Sequence, residues 1–158
     1  MTNWDREFMS LAIDLAVKSM RNNEGGPFGA IVIRDNEVIG RGNNCVTSTN
    51  DPTGHAEIVA LRQACNRLGN FRLDNCTIYS SCEPCPMCLG AIHWARVSRV
   101  YYACTRLDAA RTGFDDNFIY EELSVPLAER GIPMEQLLRV DALKVFDEWM
   151  AKPDRLAY

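Results

Sequence analysis

Two short clusters of metal-ligating residues constrain this chain more than any other feature of its sequence. The first is the His-Ala-Glu triplet at 55–57, and the second is the Pro-Cys-Pro-Met-Cys segment at 84–88. Each follows a loop or turn and begins a predicted helix. Cysteines three residues apart in the first turn of a helix lie on the same side, and the electropositive helix N-terminus favours their thiolates. The pattern therefore predicts a shared metal bound by His55, Cys85 and Cys88.

The number of ligands indicates a catalytic zinc site. Three protein ligands leave one tetrahedral position open to water, whose pKa the metal lowers toward neutrality. Glu57 is two residues beyond His55, and such positions do not face each other on a helix. We therefore expect Glu57 to lie beside the metal and to carry protons. Cys82 leaves a second interpretation open, a closed structural site with four protein ligands.

The order of predicted elements indicates a layered α/β fold. A chain of 158 residues fits a single domain spanning 1–158. Trp4, Phe8, Leu11 and Leu15 recur at helical spacing and predict the apolar face of a first helix. The helices are predicted over 5–20, 55–68, 85–95, 117–123 and 141–150, and the strands over 28–34, 37–41, 76–81 and 97–104, with a loop over 42–54. Strands alternating with helices predict a three-layer α/β/α sandwich with a mixed sheet of about five strands.

Charge and composition argue against several classes of partner. The net charge is −4 and no basic stripe is present, so we expect no nucleic-acid partner. No apolar run approaches the roughly 20 residues that span a bilayer, so we expect no membrane partner. The N-terminal residues do not resemble a signal peptide, and the cysteine count is odd at seven. These features favour a cytoplasmic protein with reduced thiols.

The two clusters together match a known signature. H-x-E followed by P-C-x-x-C is the pattern of zinc nucleobase deaminases, and the chain resembles the cytidine deaminase-like superfamily. Within that superfamily it is most similar to bacterial guanine deaminases. Four further segments carry this resemblance, namely GGPFGA at 25–30, NDPT at 50–53, SCEP at 81–84 and GFDD at 113–116.

The resemblance implies an activity and a set of site residues. It implies zinc as cofactor and hydrolytic deamination of guanine, a small-molecule purine, to xanthine and ammonia. It also implies a homodimer in which the C-terminal segment can be exchanged between subunits, with residues 140–158 capping the site. The residues that the resemblance places against the substrate are Phe28, Asn44, Ala56, Asp116 and Tyr158.

Alternatives follow from the same residues. Asn44 could shape its loop, Phe28 could be core, Asp116 could begin a helix, and Tyr158 could be a frayed end. The substrate could instead be guanosine, cytosine or an adenosine in tRNA. A zinc-stabilised binding module without catalysis is the remaining class, and ligation by Cys82 would favour it.

Overall fold

The fold is described from a computed structural model, in which residues 3–157 are described. The described chain contains seven α-helices, four β-strands and one 3₁₀ helix. Their bounds, in chain order, are α1 Asn3–Arg21, β1 Gly29–Arg34, β2 Glu37–Asn43, α2 Val46–Thr49, α3 Ala56–Leu68, β3 Thr77–Cys82, α4 Pro86–Trp94, β4 Arg99–Cys104, α5 Arg106–Ala110, α6 Asn117–Ser124, the 3₁₀ helix Leu127–Glu129 and α7 Arg139–Ala151.

The sheet is mixed, as predicted, and has the order β2-β1-β3-β4. Strand β1 is antiparallel to both β2 and β3, whereas β3 and β4 are parallel. The expectation of about five strands is too high, because no described residue after β4 lies in a strand. This arrangement brings the start of β1 and the ends of β2, β3 and β4 to one edge of the sheet.

The hairpin between β1 and β2 forms as its turn residues predict. Asp35 and Asn36 have φ angles of 50° and 61°, so both central residues of the turn are left-handed. Two consecutive positive φ angles match the right-handed twist of a hairpin, and Asn and Asp tolerate them better than most residues. The tight turn thus fixes the pairing that places the end of β2 beside the start of β1.

Helices cover both faces of the sheet. Ala30 and Val32 of β1 pack into one core cluster with residues of α3 and α4, such as Ala60 and Ile92. Ile31 and Ile33 alternate to the other face and pack with Phe8 of α1 and Tyr79 of β3. The α/β/α sandwich predicted from the sequence is therefore confirmed.

The apolar face predicted for α1 is correct only in part, since Phe8 is buried and Leu15 packs against the core but the other two residues do not. Its buried residues are Phe8, Ala12, Ala16 and Ser19, whereas Trp4 is 56% and Leu11 is 41% exposed. The reason is close packing against β1, because a Cβ added at Gly29 would lie 2.2 Å from the Ala12 carbonyl oxygen. At such an approach the helix must present small residues to the strand, rather than the large ones that periodicity selects.

Two short helices were absent from the sequence prediction. Helix α2 lies in the segment 42–54 that was expected to be a loop, and α5 follows β4 directly. The second of these did have a sequence signal. Thr105 and Asp108 form a capping box, in which each side chain accepts a hydrogen bond from the other residue's backbone N–H.

The chain divides into two compact units, one ending at Asp116 and the other beginning at Asn117. The first contains the whole sheet with α1 to α5, and the second contains α6, the 3₁₀ helix and α7. The assignment of residues 1–158 to one deaminase domain stays a prediction, since compact units can belong to one domain. Among the residues described, no helix is both long and apolar enough to cross a bilayer.

Candidate active site

The sheet edge at which the strands end carries the candidate site. Helix α3 begins at Ala56 and packs along β2, so closely that a Cβ added at Gly42 would lie 2.0 Å from the Ala56 carbonyl oxygen. Strand β3 ends at Cys82, four residues before α4 begins at Pro86. The N-termini of α3 and α4 are thereby brought to the same edge.

His55 is held at the N-cap of α3 by a short hydrogen-bonded loop. The Asp51 carboxylate accepts hydrogen bonds from the Thr53 N–H at 2.8 Å and the Thr53 hydroxyl at 2.7 Å. The backbone N–H of Gly54 donates to the Asp51 carbonyl, and the Cys45 N–H donates to the Gly54 carbonyl. The hydrogen bonds from Thr53 lower the pKa of Asp51, so the loop retains its acceptor at neutral pH. This loop fixes where α3 begins.

Cys85 and Cys88 are placed by the turn between β3 and α4. Cys85 is the N-cap of α4, and Pro86 follows at the first helical position, where its fixed φ suits a helix start. The preceding Glu83 ties the turn to β4, because its N–H donates to the Cys104 carbonyl and its carboxylate accepts from the Arg106 N–H at 3.0 Å. Both cysteines therefore face the metal position from one helix turn, as predicted.

The geometry of the three ligands fits zinc. Nδ1 of His55 lies 3.5 Å from Sγ of Cys85 and 3.6 Å from Sγ of Cys88. All three ligand atoms lie within 4.8 Å of one another. Tetrahedral coordination at ordinary zinc bond lengths separates a nitrogen and a sulfur by roughly 3.6 Å, which matches both distances. One imidazole and two thiols form a donor set that suits zinc.

Hydrogen bonds link the three ligands and shift their pKa values in different directions. A hydrogen bond with the Cys88 thiol is the main reason that the pKa of Cys85 is lowered to about 4. The same hydrogen bond raises the pKa of Cys88. The pKa of His55 is raised, chiefly through its hydrogen bond with Cys85 and against the opposing effect of burial. A thiolate at Cys85 is thus ready for a metal, and binding would displace the Cys88 proton.

Glu57 is buried beside the ligand group. Its side chain is only 6% exposed, and it lies within hydrogen-bonding reach of Cys88. Burial is the largest cause of its raised pKa. The structure places Glu57 close to the three ligands without including it among them, as the sequence predicted. A buried carboxyl with a raised pKa is suited to taking up and releasing a proton.

Cys82 lies apart from the ligand group. Its thiol is buried and donates to the Thr105 carbonyl at 3.5 Å. Burial raises its pKa to about 11, so it stays a thiol at neutral pH. Among the described residues, the group of possible metal ligands that contains Cys85 and Cys88 does not include Cys82. The geometry thus gives no support to a closed site with four protein ligands.

Asn44 is held at this edge with its side chain in a defined orientation. It follows β2 and is 7% exposed. Its Oδ1 accepts hydrogen bonds from the Gly26 N–H at 3.1 Å and the Val46 N–H at 3.3 Å. Because both donors are backbone N–H groups, they identify the oxygen and leave Nδ2 as the free donor end. No partner for Nδ2 is present among residues 3–157, so it can donate to a ligand.

Phe28 and Asp116 also belong to the first unit. Phe28 is partly buried against the core, and its ring meets that of Phe114 edge-on, with ring centres 4.9 Å apart. Asp116 is partly buried, and its charge acts on His55 and is itself opposed by Cys85. Burial, followed by the Cys85 charge, raises the pKa of Asp116. Asp116 is therefore within electrostatic reach of the metal ligands.

Comparison with known proteins identifies the family. The family described as the cytidine and deoxycytidylate deaminase zinc-binding region matches residues 2–104, which include all three ligands and Glu57. The chain belongs to this family. It is accordingly a zinc-dependent deaminase, an aminohydrolase, and the donor set of His55, Cys85 and Cys88 fits the metal.

Individual deaminases resemble the chain over most of its length. Guanine deaminase of Bacillus subtilis is 50% identical over 142 residues, covering 90% of this chain and 91% of that protein. A crystal structure of guanine deaminase from Bacillus subtilis superposes with a TM-score of 0.95 at 46% identity, covering 100% of this chain and 99% of that one. A tRNA-specific adenosine deaminase of Buchnera aphidicola is 40% identical over 113 residues, covering 72% and 74% of the two chains.

Two further residues of this deaminase, Ala56 and Tyr158, were also predicted to contact the substrate. Ala56 is fully buried in the core cluster, and its contact with the substrate stays a prediction. Tyr158 lies outside the described residues. Its role, and the capping of the site by residues 140–158, stay predictions.

Two residues near the deaminase site were given no role by sequence reasoning. Phe114 contacts Phe28, and Ser19 donates a hydrogen bond of 2.9 Å to the Asn44 carbonyl. Phe114 stands within the GFDD segment that carried the resemblance, which was a usable signal. Ser19 had a weaker one, because it is a polar residue among the small residues on the buried side of α1.

Proposed function

We propose that this deaminase converts guanine and water to xanthine and ammonia. The observation that carries the proposal is the 50% identity to Bacillus subtilis guanine deaminase over 90% of this chain and 91% of that protein. The near-complete superposition on a guanine deaminase structure, with a TM-score of 0.95, supports the same substrate. The similarity thus extends well beyond the zinc-binding region that all deaminases of this family share.

The chemistry of Asp116 supports guanine over adenine. Guanine presents hydrogen-bond donors at N1–H and at its exocyclic amine, whereas adenine has an acceptor at N1. A carboxylate at Asp116 would pair with guanine and would face the adenine acceptor without a partner. Leaving such a group unpaired costs about 1–3 kcal/mol and more for charged groups, so the mismatch lowers the turnover of adenine strongly.

The residues of this chain have distinct parts in the proposed reaction. His55, Cys85 and Cys88 would hold zinc, which when bound supplies a Lewis acid that makes water acidic enough to react near neutral pH. Glu57 would accept a proton from the attacking water as a bond forms to C2 of guanine. It would then deliver that proton to the amine as the C2–N bond breaks, which releases ammonia. Asn44 and Phe28 would orient the base by a hydrogen bond and by ring contact.

The similarity to tRNA adenosine deaminases is weaker and less complete. The Buchnera aphidicola protein is 40% identical over 72% of this chain, against 50% over 90% for the guanine deaminase. The net charge of −4 also gives no sign of the basic surface that RNA binding needs. We therefore propose a free purine base as substrate.

An ammonia-release assay tests this proposal. Zinc-loaded protein is given guanine, guanosine, cytosine, adenine and an adenosine-containing tRNA stem-loop in parallel. We expect guanine to have the highest kcat/KM, by at least about 100-fold over adenine. Turnover of another substrate while guanine stays unchanged would overturn the proposal.

We further propose that the protein is a cytoplasmic homodimer. Helix α7 has no buried residue, and it exposes Val140 by 71%, Phe146 by 66% and Met150 by 63%. Large exposed apolar surfaces commonly mark protein interfaces, which supports a second copy of the chain as partner. Light scattering coupled to size exclusion should give twice the 17.8 kDa mass of the chain, and a monomer mass would contradict the dimer.

A further inference from the structure

The polar groups of Asn44 are all committed except one. Its backbone N–H donates to the Phe28 carbonyl at 3.0 Å, and its backbone carbonyl accepts from the Ser19 hydroxyl at 2.9 Å and from the Asn43 side-chain amide at 3.3 Å. Its Oδ1 accepts from the N–H groups of Gly26 and Val46. Only Nδ2 is left to donate, and the direction of that donor depends on how well the other contacts hold the residue.

Ser19 contacts Asn44 from helix α1, which is distant in sequence from β2 and the loop that follows it. It lies near the end of α1, it is 0% exposed, and 25 residues separate it from Asn44. Its hydroxyl also receives the Asn43 side-chain amide at 3.4 Å, and that amide donates to Glu24 at 2.9 Å. A buried serine on an otherwise apolar helix side has a desolvation cost, which its hydrogen bonds here offset.

The loop at residues 25–26 passes so close to Asn44 that this residue has little room to move. A Cβ added at Gly25 would lie 2.3 Å from the Asn44 carbonyl oxygen and 2.5 Å from Oδ1. The residue is thus enclosed between the 25–26 loop and the end of α1, and its carbonyl accepts from the Ser19 hydroxyl at 2.9 Å and, at a longer distance, from the Asn43 amide. Loss of the Ser19 hydroxyl removes the shorter of these two hydrogen bonds and also the acceptor that holds the Asn43 amide beside the carbonyl, so we expect the carboxamide to shift with the backbone.

We propose that Ser19 is a positioning residue for catalysis, which acts by fixing the Asn44 carboxamide as a donor to the purine base. The substrate named in this inference rests on the proposed function, whereas the contact between Ser19 and Asn44 is independent of it. Guanine offers acceptors at N3, N7 and O6 to such a donor. Because misplacement of a positioning group by about 1 Å can cost 100-fold in rate, a contact remote from the metal can affect turnover.

A double-mutant cycle between Ser19→Ala and Asn44→Ala tests the proposal. We expect Ser19→Ala to lower kcat/KM for guanine by roughly 5- to 50-fold with zinc content unchanged. In the Asn44→Ala background the same change should have little further effect, because the group that Ser19 positions is gone. Ser48→Ala is the matched control, since this exposed hydroxyl donates to the adjacent Cys45 carbonyl at 3.2 Å. It should keep kcat/KM within about twofold.

Two outcomes overturn the proposal. Full activity of Ser19→Ala would show that the hydroxyl positions nothing. An equal loss in the Asn44→Ala background would show that Ser19 acts on the fold in general. If Ser19→Ala does not fold, the same cycle is run with Ser19→Cys, which keeps a weak donor at this position.

An NMR measurement tests the role of Ser19 independently of the proposed function. The side-chain amide signal of Asn44 in a ¹⁵N-labelled protein is assigned by its absence in Asn44→Ala. We expect Ser19→Ala to shift this signal and Ser48→Ala to leave it in place. If the wild-type protein does not turn over guanine, the proposed function fails while the NMR result still decides the role of Ser19. An unshifted signal in Ser19→Ala overturns the positioning proposal.

Discussion

At the scale of single residues, local spacing and long-range contact contribute differently to the site. The ligand group is local, because two cysteines one helix turn apart and a histidine at another helix start already define it. Asn44 is different, since its carboxamide is oriented by the Gly26 N–H, 18 residues away in sequence. Spacing along the chain predicts the first kind of contact and contains no signal for the second.

Asp116 offers the sharpest test of substrate selection at this scale. We expect Asp116→Asn to lower kcat/KM for guanine by about 10- to 100-fold, because one charged hydrogen bond to the base is lost. The zinc content should stay the same, as Asp116 is not among the ligands. Asp115→Asn removes the same charge from the exposed neighbouring residue and is the matched control. Equal kinetic losses in both variants would remove Asp116 from base recognition.

At the scale of elements, close packing of helices on glycines sets the position of the site. Helix α3 lies against β2 at Gly40 and Gly42, and α1 lies against β1 at Gly29. The helices meet these glycines with alanines such as Ala12, Ala16, Ala60 and Ala64. His55 is the N-cap of α3 and Glu57 lies in its first turn, so this spacing also determines where both residues lie.

Gly42→Ala tests the role of this packing. The added methyl would lie 2.0 Å from the Ala56 carbonyl oxygen and 2.6 Å from the Ala60 nitrogen, so α3 must shift. We expect the free energy of unfolding in urea to fall by about 1–3 kcal/mol. Zinc affinity should fall as well, because the shift moves His55.

The control for Gly42 is another glycine in an open environment. Gly90 lies inside α4 with no atom within 4 Å of an added Cβ. Gly90→Ala should therefore stabilise the protein, by about 0.5–1 kcal/mol. A Gly42→Ala protein as stable as the wild type would contradict the packing account.

The sequence was sufficient for most elements and for the metal ligands, for identifiable reasons. The strands, the larger helices and Gly69 at the end of α3 follow from periodicity and turn chemistry, and Gly69 indeed has a φ of 61°. The buried side of α1 was predicted only in part, because close approach at Gly29 selects alanines that a search for large apolar residues passes over. The strand count was also too high, because an assumed fifth strand had no segment of its own in the sequence.

At the scale of the whole molecule, metal binding and folding are coupled. The ligands come from the starts of two helices that the sheet brings together, so the unfolded chain has no preformed site. A ligand that binds only the folded state stabilises it by about 2.7 kcal/mol when its free concentration is 100 times its Kd. The zinc centre is therefore part of the stability of the protein as well as of its chemistry.

Chelation should lower Tm for this reason, as measured by calorimetry with and without a strong chelator. We expect Cys104→Ser to keep the effect, since Cys104 is exposed and does not belong to the ligand group. Cys85→Ser should unfold at a lower temperature in zinc and respond little to the chelator. A Tm of the wild-type protein that is unchanged by metal removal would contradict a zinc site of this kind.

The central claim is that the zinc-loaded protein hydrolyses guanine at C2 with Glu57 as proton carrier. It is tested most directly by incubating guanine with the protein in ¹⁸O-labelled water and analysing the product by mass spectrometry. We predict xanthine that carries one ¹⁸O atom, formed with an equal amount of ammonia. Glu57→Gln protein with the same zinc content should form it about 100- to 10,000-fold more slowly. Unchanged guanine with the wild-type protein, or an undiminished rate with Glu57→Gln, would contradict the account.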